Sequence, residues 1–282
     1  MADARRTLEQ VREEWESCRR CSLGQRREAE GGAFVFGEGH PGGLMFVGEG
    51  PGWKEERDGR PFIGKSGGIL RRALAKLGID DISYISNVVA CRSCEQATDG
   101  TGQPIFRERR GVRIPQWKDV APPGPAVDAC LPRLYEEIYL VDPVLVVTLG
   151  VPASEALLGR SVKITKERGT PQHFAIPGAA WLPSLTEKRG IWRRDAQGNL
   201  VVEQNQVRYL LLPTLHPAHV LRMISDRGEN SPFRQFMTDL KNATKIYERY
   251  MLEVHGRVTA GREITDEALD EYQDEFSREE GE

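Results

Sequence analysis

No stretch of this sequence stays apolar over the roughly 18 residues that a membrane-spanning helix requires, and the opening MADARRTLEQVREEWESC lacks the apolar segment of a secretory signal. A soluble, cytoplasmic chain is expected, with no membrane partner. Cysteine is scarce: five in 282 residues, an odd number, argues against a disulfide framework and for a metal or cluster site. No internal repeat is present, which sets aside the repeat architectures. With 39% hydrophobic residues the chain can bury one sizeable α/β core plus appendages, and it is too short for two full domains to be expected.

The formal net charge of −3 conceals an asymmetry. Residues 263–282 hold ten acidic side chains and one basic, which leaves 38 basic against 32 acidic residues in the body. A mildly basic body is compatible with a phosphate backbone as partner, although many proteins of this balance bind no nucleic acid.

Residues 5–17 place Leu8, Val11 and Trp15 at helical spacing, and Leu44–Val47 followed by Gly-Glu-Gly-Pro-Gly reads as a strand delivering a glycine-rich loop. Ser66 is expected to cap a helix whose apolar face is Ile69, Leu70, Ala73, Leu74 and Leu77, with Gly78 at its end. Further strands are expected at Tyr84–Ala90, Val144–Leu149 and Val207–Leu212, and helices at Leu131–Ile138 and Pro152–Leu158. The alternation predicts an α/β fold, a three-layer α/β/α sandwich around a central, mostly parallel sheet, in which ligands bind at the carboxyl ends of strands. Residues 92–128, rich in Gly, Pro and Arg, and 172–206, with few periodic signals, read as insertions that are functional or disordered. The main domain is expected to span 1–245, with 246–282 as a helical or disordered acidic tail.

Cys18-x-x-Cys21, with Cys91 and Cys130 far downstream, supplies four thiolates. That is the complement of a [4Fe–4S] cluster or a structural zinc, and spacing does not choose between them. Other segments are more specific. Gly48-Glu-Gly-Pro-Gly with Glu55-Glu56, then Gly59-Arg-Pro-Phe62-Ile-Gly64 and Gly67, resembles the first motif of the family 4 uracil-DNA glycosylases. Asn87-Val-Val-Ala-Cys91-Arg and Ala129-Cys130-Leu-Pro resemble that family's base-reading strand and its cluster segments. Leu215-His216-Pro217-Ala218 with Leu221-Arg222 resembles its second catalytic motif, and the similarity runs in the family's order through most of residues 15–240.

The resemblance implies the uracil-DNA glycosylase fold with an N-terminal helix, and a structural [4Fe–4S] cluster on Cys18, Cys21, Cys91 and Cys130. It implies DNA as partner, with the target nucleotide flipped out. Cys94 lies three residues after Cys91, and the gap before Cys130 is longer than the family's, so Cys94 stays open as an alternative fourth ligand. For the base pocket the resemblance implies Gly48, Glu55, Phe62 and Asn87. Phe62 stacks on the pyrimidine, and the Asn87 amide matches O4 and N3–H of uracil. Glu55 maps beside pyrimidine C5, where it obstructs a thymine methyl, unless it is a solvated loop carboxylate. His216 donates to pyrimidine O2 as negative charge grows there. Glu49 orients water or offsets the sugar cation, or else it orders its loop. Arg222 resembles the wedge that fills the vacated space in the duplex, and Lys65 and Ser66 are placed with it as DNA contacts. Arg107, Arg109, Arg110 and Arg113 in the first insertion, and Lys188, Arg189, Arg193 and Arg194 in the second, grip phosphates or are solvated faces.

The expected activity is that of a monomeric, monofunctional DNA glycosylase acting on uracil, because no lysine occupies a motif position suited to Schiff-base lyase chemistry. Two alternatives stay open. One is a glycosylase for a bulky modified pyrimidine of phage DNA, such as glucosylated hydroxymethylcytosine, in antiphage defence. The other is a non-catalytic DNA-binding module with the same fold.

Overall fold

The computed structural model describes residues 6–177, 190–194, 200–255 and 273–274. Thr7 and Gln10 cap each other's backbone at the start of α1 (Leu8–Glu16), which buries Val11 and Trp15, and α2 (Ser22–Ala29) follows. Next come β1 (Glu38–Gly39), β2 (Leu44–Gly48), α3 (Trp53–Asp58), α4 (Lys65–Leu77) and β3 (Ser83–Asn87). The short strands β4 (Cys94–Gln96), β5 (Phe106–Arg109), β6 (Val112–Pro115) and β7 (Trp117–Asp119) precede α5 (Gly124–Val141). The chain continues through β8 (Leu145–Leu149), α6 (Val151–Leu158), α7 (Ile164–Glu167), β9 (Gln172–Pro177), β10 (Gly190–Arg194) and β11 (Leu200–Thr214). It closes with α8 (Pro217–Arg222) and α9 (Pro232–His255).

The main sheet runs β1-β3-β2-β8-β11-β10, with β9 also paired to β11. Side chains alternate across it, as strand geometry dictates. Leu44, Phe46, Val147 and Leu212 pack into one core with residues of α4, α8 and α9. Met45, Val47, Val146 and Leu211 pack into the other with residues of α1, α5 and α6. Three layers result.

Only β3, β2, β8 and β11 are mutually parallel; β1, β9 and β10 join antiparallel. The sheet is therefore mixed rather than mostly parallel. Two of the three antiparallel strands come from the second insertion, which forms β9, β10 and the first half of β11. Those strands are held by hydrogen-bond pairing to β11, which leaves no mark in the hydrophobic period. The first insertion likewise contains two small antiparallel pairs, β4 with β7 and β5 with β6. The boundary expected at residue 245 falls inside α9, which runs unbroken to His255. Of the acidic tail, only Gln273 and Asp274 are among the described residues. Lys188 and Arg189 lie outside them. Among the described residues, no helix is long and apolar enough to cross a membrane.

Candidate active site

Four neighbouring parallel strands end on one side of the sheet, and each end delivers part of a single crevice. Gly48 and Asn87 stand opposite one another at the ends of β2 and β3. Glu49 follows β2, Gly150 follows β8, and Leu215-His216 follow β11. The resulting cavity of about 920 Å³ is lined by Glu49, Phe62, Asn87, His216 and Arg222 among others.

Phe62 owes its position to backbone constraint. It sits at φ 53°, a left-handed conformation costly for a bulky residue unless its surroundings enforce it. They do so from three directions. A Cβ on Gly67 would come within 2.3 Å of the Phe62 carbonyl, so α4 packs directly on this residue only because position 67 is glycine. Arg71 donates to the carbonyls of Phe62 at 2.9 Å and Pro61 at 2.7 Å. The Glu55 carboxylate accepts from the backbone N–H of Ile63 at 3.0 Å and of Gly64 at 2.7 Å. Glu55 is thus neither solvated nor free. It lines the cavity, with one carboxylate oxygen committed to the Phe62 loop. Gly64, not Ser66, is the N-cap of α4. Ser66 is the second residue of the helix, and the Glu55 carboxylate serves the N–H groups of Ile63 and Gly64 that precede it.

Gly48 lies behind the ring and outside the cavity wall. A Cβ there would meet Phe62 Cζ at 2.4 Å and Asn87 Oδ1 at 2.5 Å, so the absence of a side chain lets ring and amide close on each other. Asn87 is 2% exposed, and its Oδ1 has no hydrogen-bond partner among the described residues. An orphaned buried acceptor costs about 1–3 kcal/mol, which a ligand donor can recover.

His216 is the N-cap of α8, and its Nδ1 accepts from the Ala218 N–H at 3.0 Å. This fixes the neutral tautomer with hydrogen on Nε2. Burial, reinforced by the nearby Arg222 charge and by His219, pushes the imidazole pKa down to about 4, so at neutral pH the ring is an uncharged donor. Its centroid lies 6.3 Å from that of Phe62. Burial raises the pKa of Glu49.

Arg222, Lys65 and Ser66 stand at the cavity lip, whereas Arg110 occupies the β5–β6 turn away from the cavity. Several contributors carry no motif signature. Gly150, at φ 91°, leaves room for His216, whose Cβ a side chain there would meet at 2.9 Å. Asp119–Pro122, from the first insertion, form one wall. Beneath the site, Arg133 and Glu137 form a fully buried ion pair four residues apart on α5. That i, i+4 spacing of opposite charges on one helix was a usable signal.

Cys18, Cys21, Cys91 and Cys130 line one small second cavity, together with Leu23 and Phe34. Cys94 heads β4 and is not part of that lining. Burial pushes the Cys91 thiol up to about 12, and the adjacent Cys130 and Cys21 sulfurs add to the rise. A thiolate at Cys91 thus calls for a bound cation. Among the described residues no three His, Cys, Asp or Glu side chains converge on a single-ion site.

Strand ends and the α3–α4 loop that bring an apolar ring, an amide with an unmatched oxygen, a carboxylate and a neutral imidazole to one crevice define an α/β protein fitted to a flat, polar-edged ligand. The chain belongs to the uracil DNA glycosylase superfamily, whose family model matches residues 36–241. It is 34% identical to a type-4 uracil-DNA glycosylase of Sulfurisphaera tokodaii over 218 residues, 76% of each chain. Another of that name, from Pyrobaculum aerophilum, is 29% identical over 225 residues, covering 79% of this chain and 88% of the relative. One from Thermotoga maritima is 34% identical over 168 residues, covering 58% and 73%.

Proposed function

We propose that the chain is a monofunctional uracil-DNA glycosylase that cleaves the N-glycosidic bond of a flipped deoxyuridine with water. The observation that carries this reading is the orphaned, 2%-exposed Asn87 amide oxygen. It faces a flat crevice closed by Phe62 and fits the N3–H of uracil, while the amide N–H₂ fits O4. Phe62 stacks on the ring. As the bond breaks, its electron pair leaves with the base and charge accumulates at O2, where the uncharged His216 Nε2–H donates. A donor that is already neutral needs no proton from solvent. Water adds its oxygen to the sugar C1′, and Glu49 holds that water and offsets the sugar cation. Glu55 narrows the pocket and holds the Phe62 loop. Arg222, with Lys65 and Ser66, contacts DNA around the flipped nucleotide.

Cys18, Cys21, Cys91 and Cys130 fit a [4Fe–4S] cluster better than a single ion, because a cluster takes its four thiolates at separated corners. Bound there, it would tie the α1–α2 turn to the end of β3 and to α5, a structural role in a reaction that moves no electrons. The relatives are named for uracil, and Asn87 and His216 line one crevice, which supports uracil over a modified pyrimidine or a non-catalytic role.

The test is incubation with oligonucleotides carrying uracil, thymine or cytosine, followed by alkaline cleavage at abasic sites. Strand breaks are expected with uracil alone. A chain that leaves every substrate intact, or opens thymine as readily as uracil, overturns the reading.

A further inference from the structure

The first insertion builds a feature that the crevice chemistry does not use. β5 and β6 form an exposed antiparallel ribbon with register Arg107↔Ile114 and Phe106↔Pro115. Residues directly opposite in such a pair share a face. Arg107 and Ile114 therefore stand together on one face, and with Pro115 and Gln116 they form a groove of about 500 Å³ whose far wall is Trp53. Trp53 of α3 is 57% exposed, Ile114 of β6 44% and Trp117 of β7 44%, so three neighbouring elements leave apolar surface uncovered. The charge is one-sided, since residues 106–118 carry five basic side chains and one acidic.

Trp53 also lines the main cavity, so groove and crevice are continuous through one indole. It is the first residue of α3, presented at the lip by the Gly-Pro-Gly turn after Glu49. The Arg57 guanidinium lies 5.0 Å from its ring centroid. Nearby carboxylates are partly spoken for: Asp119 pairs with Arg92 at 2.6 Å and Glu95 with Lys118 at 2.8 Å.

Resting on the glycosylase reading, we propose that Trp53 and the β5–β6 ribbon form a docking groove for unpaired DNA next to the flipped nucleotide, with a neighbouring base stacked on Trp53 and its phosphate held by Arg107. The chemistry is that of single-strand binding, an aromatic platform beside a basic track. A paired neighbour is already stacked within its duplex and gains nothing from the indole. The groove therefore gives the chain a preference for uracil in single-stranded or locally melted DNA.

The experiment uses the full chain and oligonucleotides carrying a non-hydrolysable 2′-fluoro-arabino-deoxyuridine, with 2-aminopurine as the adjacent base. Binding is read by anisotropy, stacking by 2-aminopurine quenching. Trp53→Ala should weaken single-strand binding at least about fivefold more than duplex binding, the effect of one lost base–aromatic stack, and should abolish the quenching. Trp53→Phe should restore both. Arg107→Gln should lower the salt slope on single strands by about 0.7, one phosphate contact. Equal losses on single and double strands, or unchanged quenching in Trp53→Ala, overturn the proposal. Because the analogue is not cleaved, these readouts stand apart from activity. Failure to release uracil would count against the glycosylase reading alone, and intact quenching in the variant against this one alone.

Discussion

The Arg133 guanidinium donates to the main-chain oxygen of Val88 at 2.9 Å, and to that of Asn87 at 2.5 Å. A fully buried cation thus holds the backbone just where β3 releases its base-reading amide. Its counter-ion, Glu137, also accepts from Tyr84 and Ser86, each at 2.9 Å, and from the Gly37 N–H at 3.0 Å. The Asn87 side chain is therefore positioned from behind, through its own carbonyl.

Arg133→Met should destabilise the fold by about 3–5 kcal/mol, because it leaves Glu137 charged, buried and unpaired. Urea denaturation measures this. The double variant with Glu137→Gln should lose less than the sum of the two single changes. Strict additivity would show that the pair is not coupled.

Gly48→Ala should reduce base release by about 10²-fold, the scale of an ångström misplacement at a reacting centre. The new Cβ would stand 2.4 Å from Phe62 Cζ and must displace the ring or the Asn87 amide. Gly100→Ala, with nothing within 4 Å, is the matched control. Single-turnover rates that agree between the two variants would remove the steric argument.

The pH profile of single-turnover release should show no inflection near 6.5, the ordinary histidine value, because His216 is held down to about 4. The acid limb should lie above the ordinary carboxylate value of 4.5 and should vanish in Glu49→Gln, since burial raises Glu49. Stability follows the same sign for His216. The unfolded imidazole takes up a proton as pH falls below 6.5 and the folded one does so only near 4, so stability is lost progressively between those values. His216→Ala should slow release about 10²–10³-fold and leave binding intact.

Anaerobically purified protein should be brown, absorb broadly near about 400 nm and contain iron. Cys130→Ser should lose iron and solubility, whereas Cys94→Ser, outside the four-cysteine cavity, should retain both. A colourless, zinc-loaded active protein would refute the cluster, and the reverse pattern for the two variants would move the fourth ligand to Cys94.

Gln273 donates to the carbonyls of Ile224 at 2.7 Å and Asp226 at 2.8 Å, and Asp274 pairs with Arg227 at 2.9 Å, just beyond the Arg222 lip. Residues 263–282 carry ten acidic side chains, so their removal should tighten DNA binding, with the larger gain at low salt. Titrations of full-length and truncated protein that coincide at every salt concentration would leave the segment without this competing role.

The sequence by itself determined the elements whose signal is local. The apolar faces of α1 and α4 follow from spacing, the strands at β2 and β8 from short apolar runs, and the loop chemistry of Gly48-Glu49 and His216-Pro217 from residue type, whereas β3 spans Ser83–Asn87 rather than the expected Tyr84–Ala90. What it left undetermined depends on partners distant in the chain. The antiparallel strands β9 and β10 exist only through pairing with β11, and pairing energy has no side-chain period. Glu55 reads as a solvated or base-facing carboxylate until the fold brings Ile63 and Gly64 N–H onto it. Neither the depressed pKa of His216, set by burial and the neighbouring Arg222 and His219, nor the grouping of Cys130 rather than Cys94 with the other three thiols is local. Both depend on what the fold packs nearby, because desolvation and proximity are properties of the assembled layers, not of any one segment.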